Sequence, residues 1–181
     1  MSEWSSVSIG SVIDAIETMR AEGIIEKYAI GGAFAAVLHA EPIATIDLDV
    51  FFLSKEKQSG AILSLESLYD FARRAGHSFD HEFINIDGWL VQFIESSSNS
   101  LWSEAVQAAD TVVLGGRSIP IIDREHLVAS WLLAGRVKDY SKIALFASSD
   151  IIDDAKLSNI LERHGLVAKW EKEKWRFGDE K

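Results

Sequence analysis

"YAIGGAFAAVLHAEPIATIDLDVFF", residues 28–52, is the stretch on which the fold turns. It opens on a short apolar run, Tyr28 to Ile30, that reads as a strand. The Gly31-Gly32 pair breaks it. Ala33 to Ala40 then has helix-forming composition, ended by Pro42, which disfavours helical geometry in the residue before it. Ala44 to Leu53 is rich in β-branched and aromatic residues, the composition of a buried strand. Two carboxylates interrupt that strand. Successive side chains point to opposite faces, so Thr45, Asp47 and Asp49 share one face while Ile46, Leu48 and Val50 share the other. Carboxylates this close repel, and one of them tends to keep its proton unless a cation lies between them. Mg2+ suits the position, because it takes a few carboxylates together with phosphate oxygens and water. On the pair alone two readings stay open: a metal-binding strand, or an exposed edge strand with one polar face. The glycines have two readings as well. Between a strand and a helix they let backbone N–H groups approach a phosphate at the helix N-terminus, or they form an ordinary tight turn.

Working outward, Ile9, Val12, Ile13, Ile16 and Met19 follow helical spacing, so residues 8–22 read as an amphipathic helix stopped at Gly23. Lys55 to Ala75 reads as a helix with Ser54 as its N-cap. Glu82 to Ile86 and Trp89 to Ile94 flank Asp87-Gly88, the signature of a two-residue hairpin turn. Residues 101–109 form a short helix, and residues 111–114 and 118–122 form a second hairpin or a bent strand. Asp123 caps a helix through Leu133, interrupted near Gly135. Residues 138–147 and 154–164 make two further helices, and the tail from Lys169 is a final short helix or a frayed end. This order predicts an α+β fold: a mixed sheet of about four or five strands with flanking helices. Residues 1–122 form the α/β core, and residues 123–181 a helical C-terminal part packed on it.

The chain has 181 residues, 48% of them hydrophobic, which is enough for a packed core and excludes a disordered chain. The absence of cysteine excludes a disulfide framework and a cysteine-ligated zinc, and it fits a reducing cytoplasm. Met1 to Gly10 carries no signal peptide, and no apolar stretch is long enough for a membrane span. A net charge of −10 repels bulk nucleic acid. A local patch at Arg117, Arg136 and Lys138 leaves room for a tRNA end. Other polar residues carry weaker signals. His77 and His81, with Asp80 and Glu82, have metal-ligand spacing for a helix, but Gly76 and Ser78 argue for a solvated loop. His39 reads as a cap or surface histidine and His126 as structural. Ser130 and Ser141 lack an accompanying base. Trp89, Trp102, Trp131, Leu132 and Leu133 read as core, and Trp170 and Trp175 as residues that dock the tail.

Taken together, strand, Gly-Gly, helix and a strand bearing Thr-x-Asp-x-Asp resemble the nucleotidyltransferase fold superfamily. The nearest look is to bacterial nucleotidyltransferases of the abortive-infection and toxin–antitoxin type. Those carry a later helix with a basic residue and then Lys-Asp or Arg-Asp, which "LLAGRVKDYSKIALF", residues 132–146, resembles. The likeness covers residues 10–55 well, and residues 82–95 and 123–146 more loosely. It implies Mg2+-dependent transfer of a nucleoside monophosphate from an NTP to an acceptor it does not identify, whether protein, RNA or small molecule. It also implies a toxin working beside a cognate antitoxin. By the same resemblance, Gly31 and Gly32 hold the triphosphate, with Ala33, Thr45 and Arg136 beside it. Asp47 and Asp49 bind Mg2+, Lys138 contacts phosphate, and Asp139 orients it or serves the acceptor side. Three positions depart from the family pattern. Gln92 stands where a later hairpin strand usually supplies a third carboxylate, and Glu95 lies on the opposite face unless a bulge turns it. Ala33 stands where a Ser or Thr often helps hold phosphate, and Ile43 stands where an Arg is frequent. These departures carry a second reading, a nucleotide-binding or protein-interaction module of the same fold without catalysis.

Overall fold

Residues 6–39, 47–54, 60–149 and 151–177 are described in a computed structural model of the chain; Pro42, Ile43 and Thr45 lie outside them. The quoted stretch supplies β1 (Ile25–Ile30), α2 (Gly32–His39) and β2 (Asp47–Ser54), preceded by α1 (Ser6–Ala21). Helix α1 buries Ile9, Val12, Ile13, Ile16 and Met19, the apolar stripe its spacing predicts. β1 begins earlier than its sequence suggests. Glu26 and Lys27 are exposed, and the ladder to β2 shifts register between Ile25 and Lys27, which hides the alternation. Ser54, read as a helix cap, is the last residue of β2, and its hydroxyl donates to Glu95 at 3.4 Å.

Next come α3 (Gly60–Arg74), β3 (Ser78–Asp80), β4 (Phe83–Ile86), β5 (Trp89–Glu95), α4 (Ser100–Gln107), β6 (Asp110–Leu114) and β7 (Arg117–Ile121). Four helices follow: α5 (Arg124–Ala134), α6 (Val137–Ser148), α7 (Asp154–Arg163) and α8 (Val167–Glu173), with a final 3-10 turn at Lys174–Phe177. The strands form one mixed seven-stranded sheet in the order β3-β4-β5-β2-β1-β7-β6, more than the four or five expected. Two features account for the excess. β3 is a three-residue exposed strand whose sequence reads as a loop, and it pairs with β4 across a turn where His81 takes φ 54°. Short polar edges of this kind discourage pairing with other chains. At the other side the β6–β7 hairpin joins the sheet through the parallel pair Ile30 and Ile121.

β2 lies at the centre, antiparallel to β1 and parallel to β5. Helices α2 and α4 pack on β2. Trp102 of α4 meets Phe51 edge-on at 5.7 Å, and Phe34 of α2 meets Trp89 in the same way. Phe51 has the parity of Asp47 and Asp49, so the face with the carboxylates is the one these helices partly cover.

Asp123 caps α5 by accepting from the His126 amide at 2.9 Å, and Gly135 ends that helix in the left-handed conformation, φ 66°. A polar network ties α4, α5 and α7 together. Glu104 accepts from Arg163 and from His164 Nε2 at 2.7 Å, and His126 Nε2 lies 3.4 Å away. Asp123 faces His126 Nδ1 at 2.8 Å and Lys156 at 3.0 Å. Hydrogen bonding from Arg163, helped by His164 and His126, holds the Glu104 carboxyl down to about 2. Burial pushes Asp123 up, but the bonds from His126 and Lys156 outweigh it and bring the group to about 2. Trp131 and Leu132 are buried as expected, whereas Leu133 is partly exposed. Trp170 packs against the core, and Trp175 stays 68% exposed. Among the described residues no helix is long and apolar enough to cross a membrane.

Candidate active site

The Gly pair is clamped from both sides. Gly31 N–H donates to the Asp49 carbonyl at 2.8 Å, and Ile122 N–H donates to the Ile30 carbonyl at 2.8 Å. A Cβ on Gly31 would lie 2.5 Å from the Phe51 ring and 3.0 Å from Ile122 Cδ1. Gly32, the first residue of α2, takes φ +60°, and a Cβ there would lie 1.8 Å from Asp49 Oδ2 and 2.7 Å from Asp49 Cγ. Only glycine admits the Asp49 carboxylate this close to the start of the helix. Ala33 follows, half-buried, with a methyl group and no oxygen to offer. At the far end of α2, His39 Nε2 lies 2.9 Å from the Ile122 carbonyl, so this histidine ties the helix to the chain after β7.

The β2–β5 ladder settles what lies beside the carboxylates. Asp47 pairs with Leu90, Asp49 with Gln92, and the register runs unbroken to Phe52 and Glu95. Paired residues in a parallel ladder share a face, so Gln92 is the immediate neighbour of Asp49. Glu95 lies on the opposite face. No bulge turns it, and its carboxylate accepts from Ser97 N–H at 3.1 Å. Asp87 is exposed in the hairpin turn at φ 50°. Among the described residues, no group of three or more His, Asp or Glu could hold a metal. The donor set is therefore two carboxylates on one strand face, Asp47 exposed and Asp49 half-buried. That set fits Mg2+ arriving with phosphate oxygens and water as its other ligands. It does not form an all-protein cage. His81, considered for metal by its spacing, is exposed beside Asp80 at 3.8 Å.

Burial raises the Asp49 carboxyl above its usual range, and the charge of Asp47 adds to this. Lys142, Arg136 and Lys138 oppose it, Lys142 most strongly. Three cations of one chain segment thus lie within the field of Asp49. Asp139 holds two of them. It is fully buried; Arg136 donates to it from Nε at 2.6 Å and from Nη2 at 3.2 Å, and Lys142 Nζ lies 3.6 Å away. The Asp139 carboxylate is turned toward Arg136 and Lys142 and not toward solvent. Lys138 is exposed. The sequence reading passed over Lys142, although a signal was present: it lies four residues after Lys138 and so shares its helical face. Arg117, grouped with Arg136 and Lys138 on sequence, pairs instead with Asp14 of α1.

The chain resembles several solved structures. It matches the antibiotic-resistance factor ANT(2'')-Ia in solution with a TM-score of 0.53 and 13% identity, over 97% of this chain and 99% of that one. A crystal structure of ANT(2'')-Ia in complex with adenylyl-2''-tobramycin matches at 0.51 and 13% identity, over 88% and 96%. An antigenic nucleotidyltransferase-like protein from Paracoccidioides brasiliensis matches at 0.52 and 15%, over 96% and 93%. No family model and no curated protein matches the sequence. At these identities the likeness is one of fold, and the fold is the α+β nucleotidyltransferase fold that the Gly-Gly and Asp-x-Asp motifs imply.

Proposed function

We propose that this chain, whose fold is that of the nucleotidyltransferases, binds an NTP with Mg2+ between the Gly31-Gly32 turn and the Asp47/Asp49 pair, and transfers its nucleoside monophosphate to an acceptor. The observation that carries this reading is the Asp49 carboxylate lying against Gly32 at the start of α2. A metal-binding oxygen and a helix N-terminus suited to phosphate then meet at one point. Bound there, Mg2+ would neutralise charge on the triphosphate and on the departing pyrophosphate. The rest falls to the chain. Backbone N–H groups at the start of α2 receive phosphate oxygens. Arg136, Lys138 and Lys142 hold the phosphates, while Asp139 positions Arg136 and Lys142. Such sites work mainly by alignment and charge compensation, with the acceptor oxygen in line with the α-phosphorus and the bond to the leaving pyrophosphate.

ANT(2'')-Ia, seen with an adenylylated tobramycin, adds weight to a small-molecule acceptor alongside protein and RNA. A toxin with a cognate antitoxin would use the same chemistry on a macromolecule. One observation favours a second reading. Gln92 beside Asp49 cannot take a proton from an acceptor, and losing a general base costs about 10²–10⁴-fold in rate. A nucleotide-binding module without transfer is that alternative. Thermal unfolding with each NTP, with and without Mg2+, tests the site. Ligand at 100 times its Kd stabilises by about 2.7 kcal/mol. For a chain of this size that raises Tm by about 5–11 °C. The rise should need Mg2+ and vanish in Asp47→Asn/Asp49→Asn. No rise with any NTP refutes the nucleotide site. A rise without pyrophosphate release across hydroxyl and amine acceptors selects the second reading.

A further inference from the structure

Away from the carboxylate strand, Ser100, His164 and Glu104 are joined in series. The chain leaves β5 at Glu95 and enters α4 at Ser100, which is exposed. The Ser100 hydroxyl lies 3.2 Å from Nδ1 of His164, the residue that closes α7. Across the same ring, His164 Nε2 lies 2.7 Å from Glu104 Oε2. The carboxylate decides the tautomer. Arg163 also bonds Glu104 and its carboxyl is held down to about 2, so it only accepts, and a ring proton belongs on Nε2. In the neutral ring Nδ1 then carries the lone pair, and the Ser100 hydroxyl donates to it. A hydroxyl bonded to an imidazole nitrogen, with the far nitrogen tied to a carboxylate, is the arrangement that activates a nucleophile. Half of it is local, since Ser100 and Glu104 are four apart on α4 and share a face. Two further features fit. Asn99 takes the Trp102 amide on its side chain and the Ser103 amide on its carbonyl. Among the described residues no backbone carbonyl takes the Ser100 or Leu101 amide, so both are available to an oxygen gaining charge beside Ser100. The surface next to His164 is also open: a Cβ on Gly165 would meet nothing within 4 Å.

We propose that Ser100 and His164, positioned by Glu104, form a second catalytic site, independent of the nucleotide site, that hydrolyses short-chain carboxylic esters arriving from solvent. Ser100 Oγ adds to the ester carbonyl carbon while His164 Nδ1 takes the hydroxyl proton. The imidazolium returns that proton to the alcohol oxygen as its bond to carbon breaks, leaving an acyl-Ser100. A water then adds to the acyl carbon and gives one proton to Nδ1. The bond to Ser100 Oγ breaks, Oγ recovers the proton, and the carboxylic acid departs. Glu104 keeps the ring in one tautomer and answers the charge of the imidazolium.

The full chain is treated with diisopropyl fluorophosphate and mapped by mass spectrometry, and its hydrolysis of p-nitrophenyl acetate is followed. The label should fall on Ser100, and hydrolysis should be lost in Ser100→Ala, a change at an exposed position. His164→Gln keeps a donor for Glu104 and an acceptor for Ser100 but takes no proton, so hydrolysis should fall about 10²–10⁴-fold. Glu104→Gln should lower kcat with KM little changed, because a carboxamide admits either tautomer of the ring. The chain has no cysteine, which allows a readout that needs no ester. At pH 7 iodoacetamide should alkylate Ser100→Cys about 10-fold faster than Ser98→Cys, an exposed control, through the thiolate that the imidazole favours. The excess should vanish when His164→Gln is added. The proposal is overturned if Ser100 escapes the label, if Ser100→Ala hydrolyses the ester as fast as wild type, or if Ser100→Cys reacts no faster than Ser98→Cys. The three groups would then only tie α4 to α7, and the nucleotide-site reading would be unaffected.

Discussion

Replacing Gly32 with alanine separates two costs that the structure places on one atom. The first is conformational. Gly32 takes φ +60°, and an L-residue there costs about 1–2 kcal/mol. The second is steric. The new methyl would lie 1.8 Å from Asp49 Oδ2 and 2.7 Å from Asp49 Cγ, so the carboxylate must rotate away or α2 must shift. Overpacking of this kind costs about 1–3 kcal/mol. Gly32→Ala should therefore lose about 2–5 kcal/mol by urea unfolding, in total. The two costs come apart in a double-mutant cycle with Asp49→Ala. There the carboxylate is gone and only Asp49 Cβ remains nearby, 3.1 Å from the added methyl, a contact a small shift relieves. In that background Gly32→Ala should cost only the conformational part, about 1–2 kcal/mol. The coupling between positions 32 and 49 is thus about 1–3 kcal/mol. An equal cost in both backgrounds would refute the claim that Gly32 is required by the carboxylate. Nucleotide affinity of Gly32→Ala gives a second reading: it should fall even at temperatures where the variant is fully folded, because the displaced carboxylate is a metal ligand in the proposed site.

Three further outcomes can be checked. Glu104, lowered from 4.5 to about 2 in the folded chain, contributes stability that is complete above about pH 5 and fades as pH falls toward 2. The shift corresponds to about 3 kcal/mol before screening, and about 1–2 kcal/mol once its partial exposure is allowed for. Glu104→Gln should therefore unfold more easily in urea by that amount at pH 7, with the gap at least halved at pH 2.5; an unchanged gap would contradict the ionic origin of the tie. Asp139→Asn removes a buried charge, but Arg136 is 59% exposed and can be hydrated instead, so the loss should be about 1–2 kcal/mol and not the 3–5 of a fully enclosed pair. Calorimetry on this variant should also show weaker NTP binding, since two cations lose their anchor. Trp175→Ala should change the unfolding free energy by less than about 0.5 kcal/mol, in keeping with its exposure.

The parts of the molecule legible in the sequence are those written locally. Gly31-Gly32 and Asp47-Leu48-Asp49 announce themselves because glycine conformation and strand parity act over a few residues. The Asp87-Gly88 turn fixes the parity of β5, and this is why Gln92 could be assigned to the carboxylate face from sequence and found there in the ladder. What escaped depends on the fold. β3 has no apolar alternation, because an exposed edge strand needs none. Leu133 sits in a core-like run but at the last turn of α5, where the helix leaves the interior. Lys142 enters the field of Asp49 only through the fold, since α6 lies far from β2 in sequence. Arg117 was grouped with Arg136 by charge, yet its partner on α1 lies outside any local pattern.

The central place of β2 also sets a schedule. During synthesis Asp47 and Asp49 leave the ribosome early. Their strand neighbours on β5 follow only after β4 and the Asp87-Gly88 turn, and Arg136, Lys138 and Lys142 come later still. Until then Asp49 lacks the cations of that segment that oppose its burial. Domains assemble as units while they are made, and in this one the cations that lower the Asp49 carboxyl arrive with α6 and the residue before it. A chain truncated before α6 would keep all seven strands of the sheet and the glycines and carboxylates of the motif, yet lose Lys138 and Lys142, two of the three cations that oppose the burial of Asp49.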